Sequence, residues 1–331
     1  MMTDLIPNDR IPELALDWLR QGRGVALATV VETWGSAPRP TGSQMVLDGA
    51  GSMMGSISGG CVEGAVVAEG QAAIADRQPR IVTYGVSDGD AFAVGLACGG
   101  TIRVLVEPVG QGVQALSEAL LAEIVSARAK PVARALITDL TSFARRLVAP
   151  GVDALIDARF AADRSGVEDM TLITIHNPPL RLFVVGGVQI AQALLPMARA
   201  CGHAVTLIDP RSAFGTAARF PGEVIVESWP DEALRALTPD ARSAIVTLTH
   251  DDKLDDPAIT FALRAPVYYL GCLGSRRTHG KRLDRLRAMG FADSDLARIH
   301  APAGLNIGAK SPAEIALSII AEMTSVLRLR S

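Results

Sequence analysis

From residue 181 onward the chain repeats one two-part unit, and that repetition restricts its fold more than any other feature. Short apolar runs, RLFVV (181–185), AVTLID (204–209), EVIVE (223–227), SAIVTLT (243–249) and APVYYLG (265–271), alternate with stretches of helical spacing such as IAQALLPMARACG (190–202) and KRLDRLRAMG (281–290). Strands joined by helical crossovers lie parallel in one sheet, because such crossovers are almost always right-handed and leave the helix on a sheet face. The expected class is α/β: an N-terminal α/β domain over 1–178 and a C-terminal Rossmann-like doubly wound parallel sheet over 179–331. The last helix has the clearest boundary. Ser311 caps it, Pro312 takes its first position and Glu314 closes a capping box.

The first half has a less regular grammar. An amphipathic helix is expected over 11–20, then strands at GVALATVVETW (24–34) and QMVLD (44–48), with GAGSMMGSISGG (49–60) as a loop. A helix is expected over CVEGAVVAEGQAAIA (61–75), and strands at RIVTYGV and TIRVLVEPV on either side of a loop that reaches residue 100. A further helix over 112–130 and strands within 131–140 and 143–149 complete this half.

At 331 residues with 49% hydrophobic and 20% charged content, the chain can bury two cores. Its net charge of −3 provides no global basic field, which argues against nucleic acid or an anionic membrane as partner. No apolar run approaches the ~18 residues of a membrane span, and MMTDLIPNDR lacks the basic and apolar regions of a signal peptide, so a cytoplasmic protein is expected. The cysteines, Cys61, Cys98, Cys201 and Cys272, are widely spaced and form no CxxC pair, so they read as free thiols. Cys201 falls on an apolar helical pattern and is expected in the core.

Three groups of residues could carry chemistry. In the turn after RLFVV the places of a G-x-G-x-x-G/A dinucleotide motif are held by Gly186, Val188 and Ala191. Val188 puts a β-branched side chain where backbone should meet pyrophosphate, which disfavours NAD(P). Gly187 could shift the turn by one residue and restore the site. Asp209, at the next strand end, could take a ribose hydroxyl or pair with Arg211. On the same carboxyl-end rim lie His250 and, opening a helix, Arg276 and Arg277, cations where the dipole favours an anion. The third group is a pair of glycine-framed thiols: Cys61 behind Gly59 and Gly60, and Cys98 ahead of Gly99. A cysteine at a helix N-terminus favours its thiolate, a nucleophile and soft metal ligand. A small buried packing residue is the alternative at both positions.

The strings GSAPRPTGSQMVLDGAGSMMGSISGGCVEGAVV, VTLIDPR, YYLGCLGSRR and IHAPAGLNIGAKSPAEIALSIIAEM resemble the XdhC/CoxI family, the accessory proteins of xanthine dehydrogenase and related molybdenum hydroxylases. The resemblance covers both halves. It implies a maturation factor that binds molybdenum cofactor (molybdopterin), supports its sulfuration by a cysteine desulfurase and delivers it to an apo molybdenum hydroxylase. Such a protein is a cofactor-binding chaperone more than an enzyme with its own turnover, and no catalytic residue is assigned. Cys61 and Cys98 would be molybdenum or sulfur contacts. Gly59, Gly60, Gly99, Gly186, Gly187, Asp209, His250, Arg276 and Arg277 would complete the cofactor-binding set, the arginines at phosphate. The chain departs from the family at Val188, Gln189, Asp252 and Asn306. A homodimer is the default assembly. A nicotinamide-dependent oxidoreductase built on the Rossmann-like half is the competing reading.

Overall fold

The computed structural model describes residues 10–35, 39–85, 100–130 and 132–329. The chain divides into two compact units, Met1–Pro178 and Pro179–Ser331.

The first unit runs α1 (Ile11–Arg20), β1 (Val25–Trp34), β2 (Gln44–Asp48), β3 (Met53–Gly55), α2 (Glu63–Asp76), β4 (Arg80–Tyr84), β5 (Thr101–Pro108), α3 (Glu118–Ala129), β6 (Arg134–Asp139), β7 (Arg145–Val148), α4 (Ala154–Ala162), β8 (Gly166–Glu168) and β9 (Thr171–His176). Its strands form two sheets, ordered β3-β2-β1-β5-β4 and β7-β6-β9-β8. Every pairing within them is antiparallel. Strand β1 is central because VALATVV is buried on both faces: Ala26, Ala28 and Val30 pack toward α2, while Val25 and Leu27 pack toward α1 and α3.

Three features of this unit depart from the sequence expectation. The stretch 49–60 is not all loop, since Met53–Gly55 pairs with β2 in the register Met45↔Gly55 and Leu47↔Met53. This strand is short, and Met53 and Met54 are exposed, so its own residues carry no alternating pattern and only the pairing defines it. Two helices start later than their apolar patterns: α2 at Glu63 rather than at Cys61, and α3 at Glu118, where the Ser117 hydroxyl caps Leu120 N–H. The segment α4-β8-β9, which the expected strands do not include, supplies part of the second sheet.

The second unit runs β10 (Leu180–Val185), α5 (Gln189–Ala200), β11 (His203–Ile208), β12 (Val224–Val226), α6 (Pro230–Leu237), β13 (Ser243–Thr247), α7 (Asp252–Arg264), β14 (Tyr269–Cys272), α8 (Arg276–Ala288), α9 (Asp293–Leu296), β15 (Ile299–His300) and α10 (Pro312–Arg328). The sheet order is β12-β11-β10-β13-β14-β15, parallel throughout. This is the expected doubly wound sheet with one more edge strand, β15, too short to signal itself in sequence. Residues of β10 alternate between two cores. Leu182 and Val184 meet α5 and α10 residues such as Leu194 and Ile319, whereas Phe183 and Val185 meet Leu234, Ile259 and Leu286 of α6, α7 and α8. The Ser311 capping box forms as the residue pattern requires. Among the described residues no helix is long and apolar enough to cross a membrane.

Candidate functional site

In the first unit the glycine loop before α2 is built around a carboxylate. Glu63 is 5% exposed. Its Oε1 accepts from Ser56 Oγ (2.9 Å), Ile57 N (3.3 Å) and Ser58 N (2.9 Å). Its Oε2 accepts from Gly60 N (2.9 Å) and from the Ser58 hydroxyl in a short bond. Ser58 Oγ in turn accepts from Cys61 N (3.1 Å) and Val62 N (3.0 Å), capping the entry to α2. So many amides can converge only because Gly59 and Gly60 sit at φ +75° and +108°, where a side chain is strained. Burial would raise the Glu63 carboxyl, but hydrogen bonds from Ser58 and Ser56 outweigh it and bring its pKa down to about 2.

Cys61 rides on this loop. It is half-buried, packs at the edge of the α2 core and carries a free thiol. It lies two residues before the first helical position rather than in the first turn, and its own N–H is taken by Ser58. Cys98 and Gly99, the other half of the expected thiol site, lie outside the described residues. Among the described residues no three His, Cys, Asp or Glu side chains are grouped to hold a metal ion.

In the second unit the carboxyl ends of the parallel strands form a continuous rim. Gly186, at φ +109° after β10, lies so close to Thr249 that an added Cβ would fall 2.5 Å from its Cγ2. His250 follows, exposed and in the left-handed region at φ +59°. Its Nδ1 lies 3.8 Å from where a Cβ on Gly274 would stand, in the turn after β14. Arg276 and Arg277 then occupy the first two positions of α8, exposed, with no acid in that turn and Ser275 as cap. Gly186, His250 and the α8 entrance thus line one edge of adjacent strands, the crevice side on which doubly wound folds bind ligands.

Asp209 is committed elsewhere. It is fully buried; Gly187 N donates to Oδ2 (2.8 Å), and Arg211 binds both carboxylate oxygens through Nε (2.9 Å) and Nη2 (2.8 Å). Burial opposes ionisation, yet the Arg211 and Gly187 hydrogen bonds prevail and hold the carboxyl below its usual range. Of the two readings open for Asp209, the structure displays the pairing with Arg211. The loop beyond closes over the turn: Arg219 Nη1 donates to Gly187 O (2.6 Å), and a Cβ on Gly187 would meet Phe214 O at 2.6 Å. Val188 is the N-cap of α5 and provides no side-chain hydrogen bond.

The remaining thiols separate clearly. Cys201 is exposed at the end of α5, contrary to the core position expected from its apolar neighbours, because it is the C-cap residue and lies past the last buried turn. Cys272 is fully buried on β14, and burial pushes its thiol up to about 12. Two functional-looking residues give no sequence signal. Glu63 reads as an ordinary first-turn acid, and only its place three residues after Gly60 marks it. Arg282, 2% exposed in its side chain, sits 3.8 Å from Asp255 and donates to Leu273 O (3.0 Å), anchoring the turn that carries Ser275 and Arg276.

The fold and these sites define a class: a two-unit protein with a Rossmann-type parallel sheet and a carboxylate-organised loop that presents a thiol. Residues 182–323 match the model of the XdhC Rossmann domain, and residues 18–85 match that of the XdhC and CoxI family. The chain belongs to the XdhC and CoxI family. It is 29% identical over 319 residues to the molybdenum cofactor insertion chaperone PaoD of Escherichia coli (strain K12), covering 96% of this chain and 87% of that protein. It is 27% identical over 309 residues to a probable xanthine dehydrogenase subunit of Bacillus subtilis (strain 168), covering 90% and 91% of the two. The crystal structure of a xanthine dehydrogenase from Bacillus halodurans has the same fold, with a TM-score of 0.78 over 97% of this chain and 96% of that one at 23% identity.

Proposed function

We propose that this chain is a maturation factor for a molybdenum hydroxylase: it binds molybdenum cofactor as cargo, supports its sulfuration and delivers it to the apo-enzyme. The supporting observation is the nearly full-length similarity to a molybdenum cofactor insertion chaperone, combined with a half-buried thiol on a preformed loop. In this reading Cys61, joined by Cys98, offers soft sulfur to the molybdenum or to the incoming sulfur atom. Gly59, Gly60 and Gly99 leave room for the approach. On the rim of the second unit Gly186, Gly187, His250, Arg276 and Arg277 are available to the anionic pterin portion, while Asp209 holds the Gly187 turn in shape. The sulfur donor is a cysteine desulfurase and the recipient a xanthine dehydrogenase-like enzyme, all in the cytoplasm, and the factor works as a homodimer.

Purification from a host that makes the cofactor, followed by measurement of bound molybdenum and pterin, tests this. Both are expected with the wild type and reduced at least tenfold, about 1.4 kcal/mol, in Cys61→Ser. A cofactor-free wild type would overturn the reading.

A further inference from the structure

A cavity of about 160 Å³ opens in the first unit between the first turn of α1, the loop entering β2, α3 and the end of β9, with Arg39, Gln44, Arg128, Thr174 and His176 in its wall. The Nε of Arg39 is buried without a hydrogen-bond partner. None of the ion pairs among the described residues includes Arg39, while the neighbouring Arg128 is bound to Glu13 Oε1 at 2.6 Å. His176 is 4% exposed, and its Nε2 is also buried without a partner. Burial, followed by the charge of Arg128, brings the His176 pKa down to about 3, so at pH 7 the ring is neutral and can present Nε2–H.

Arg39 as a whole is half-buried, yet burying its Nε–H without an acceptor is costly, and a buried imidazole nitrogen without a partner adds to that cost. One anion between them removes both defects. The volume corresponds to roughly five water molecules at about 30 Å³ each, which matches the heavy-atom count of phosphate or sulfate. We propose that this cavity is a binding site for a small tetrahedral oxyanion, held by the Arg39 guanidinium and by His176 Nε2–H. The same chemistry admits either the free ion or the end of a phosphomonoester. The site shares no residue with the Cys61 loop or the second-unit rim, and it does not depend on the maturation role.

Calorimetric titration of the full chain in chloride-free buffer of low ionic strength, with inorganic phosphate, sulfate and glycerol phosphate in separate arms, tests the proposal. Saturable binding of phosphate or sulfate at one per chain is expected. It should weaken at least about tenfold in Arg39→Gln and in His176→Ala, and stay unchanged in Arg146→Ala, an exposed arginine of β7 that belongs to neither the cavity wall nor the second-unit rim. Glycerol phosphate binding as tightly as phosphate would identify an ester as the occupant, and its exclusion would identify the free ion. Because either variant could unfold, far-UV circular dichroism accompanies each, and a saturating rise of the wild-type melting temperature with phosphate provides a second readout. Absence of saturation up to about 10 mM in the wild type overturns the site, as does unaltered affinity in folded Arg39→Gln.

Discussion

At Glu63 a side chain does what a bound anion does elsewhere: it gathers the amides of residues 57, 58 and 60 and two serine hydroxyls around one carboxylate. Removing its charge leaves those donors facing a neutral amide, so Glu63→Gln should cost about 1–3 kcal/mol in urea unfolding at pH 7. The sign with pH follows from the lowered carboxyl. Its contribution is complete above the ordinary value of 4.5 and disappears as pH falls toward about 2. The stability gap between wild type and variant should therefore narrow in unfolding curves taken between those limits. Thiol accessibility gives a second check. Iodoacetamide labelling read by mass spectrometry should modify exposed Cys201 in the native protein and reach Cys272, buried and raised to about 12, only after unfolding. Cys272 labelling at the Cys201 rate in the folded protein would contradict the packing described. These residues also show where sequence reading stops. Cys61 is visible because glycines frame it, whereas the partners of Glu63 are mostly backbone groups, which leave no trace in residue identity.

At the scale of elements, periodicity succeeds where strands are long and buried. β10 and β13 can be read from uninterrupted apolar runs, and α10 from its cap, because burial and capping write themselves into residue type. β3 and β15 cannot, since an edge strand of two or three residues is created by its neighbour. Nor can the antiparallel order of the first unit, which depends on long-range pairing such as Thr29↔Leu105. The glycine turn between β10 and α5 shows the same division. Its glycines are legible, but the loop that closes on them is not, because Phe214 and Arg219 act through backbone contacts more than 25 residues away in sequence. An alanine at 187 would place Cβ 2.6 Å from Phe214 O, which is backbone and cannot swing aside. Gly187→Ala should lower the unfolding free energy by about 1–3 kcal/mol, measured by chemical denaturation. An unchanged midpoint would mean that the loop does not pack on the turn.

The whole molecule carries two features of unlike kind: a half-buried thiol on a hydrogen-bonded loop in the first unit and a strand-end rim with two exposed arginines in the second. In the second unit Val188 stands where a dinucleotide motif has its middle glycine, and Asp209 is held by Arg211 and Gly187 N. The family model matches fall in both units, at residues 18–85 and 182–323, and the proposed maturation role assigns the cargo's soft, sulfur-seeking centre to the thiol and its anionic tail to the rim. Equilibrium dialysis of released molybdenum cofactor against the purified protein measures that most directly. Wild type should retain cofactor saturably, Cys61→Ser should lose at least tenfold in affinity, about 1.4 kcal/mol, and Glu63→Gln should fall between them. Retention by a folded Cys61→Ser equal to that of wild type would contradict the central claim.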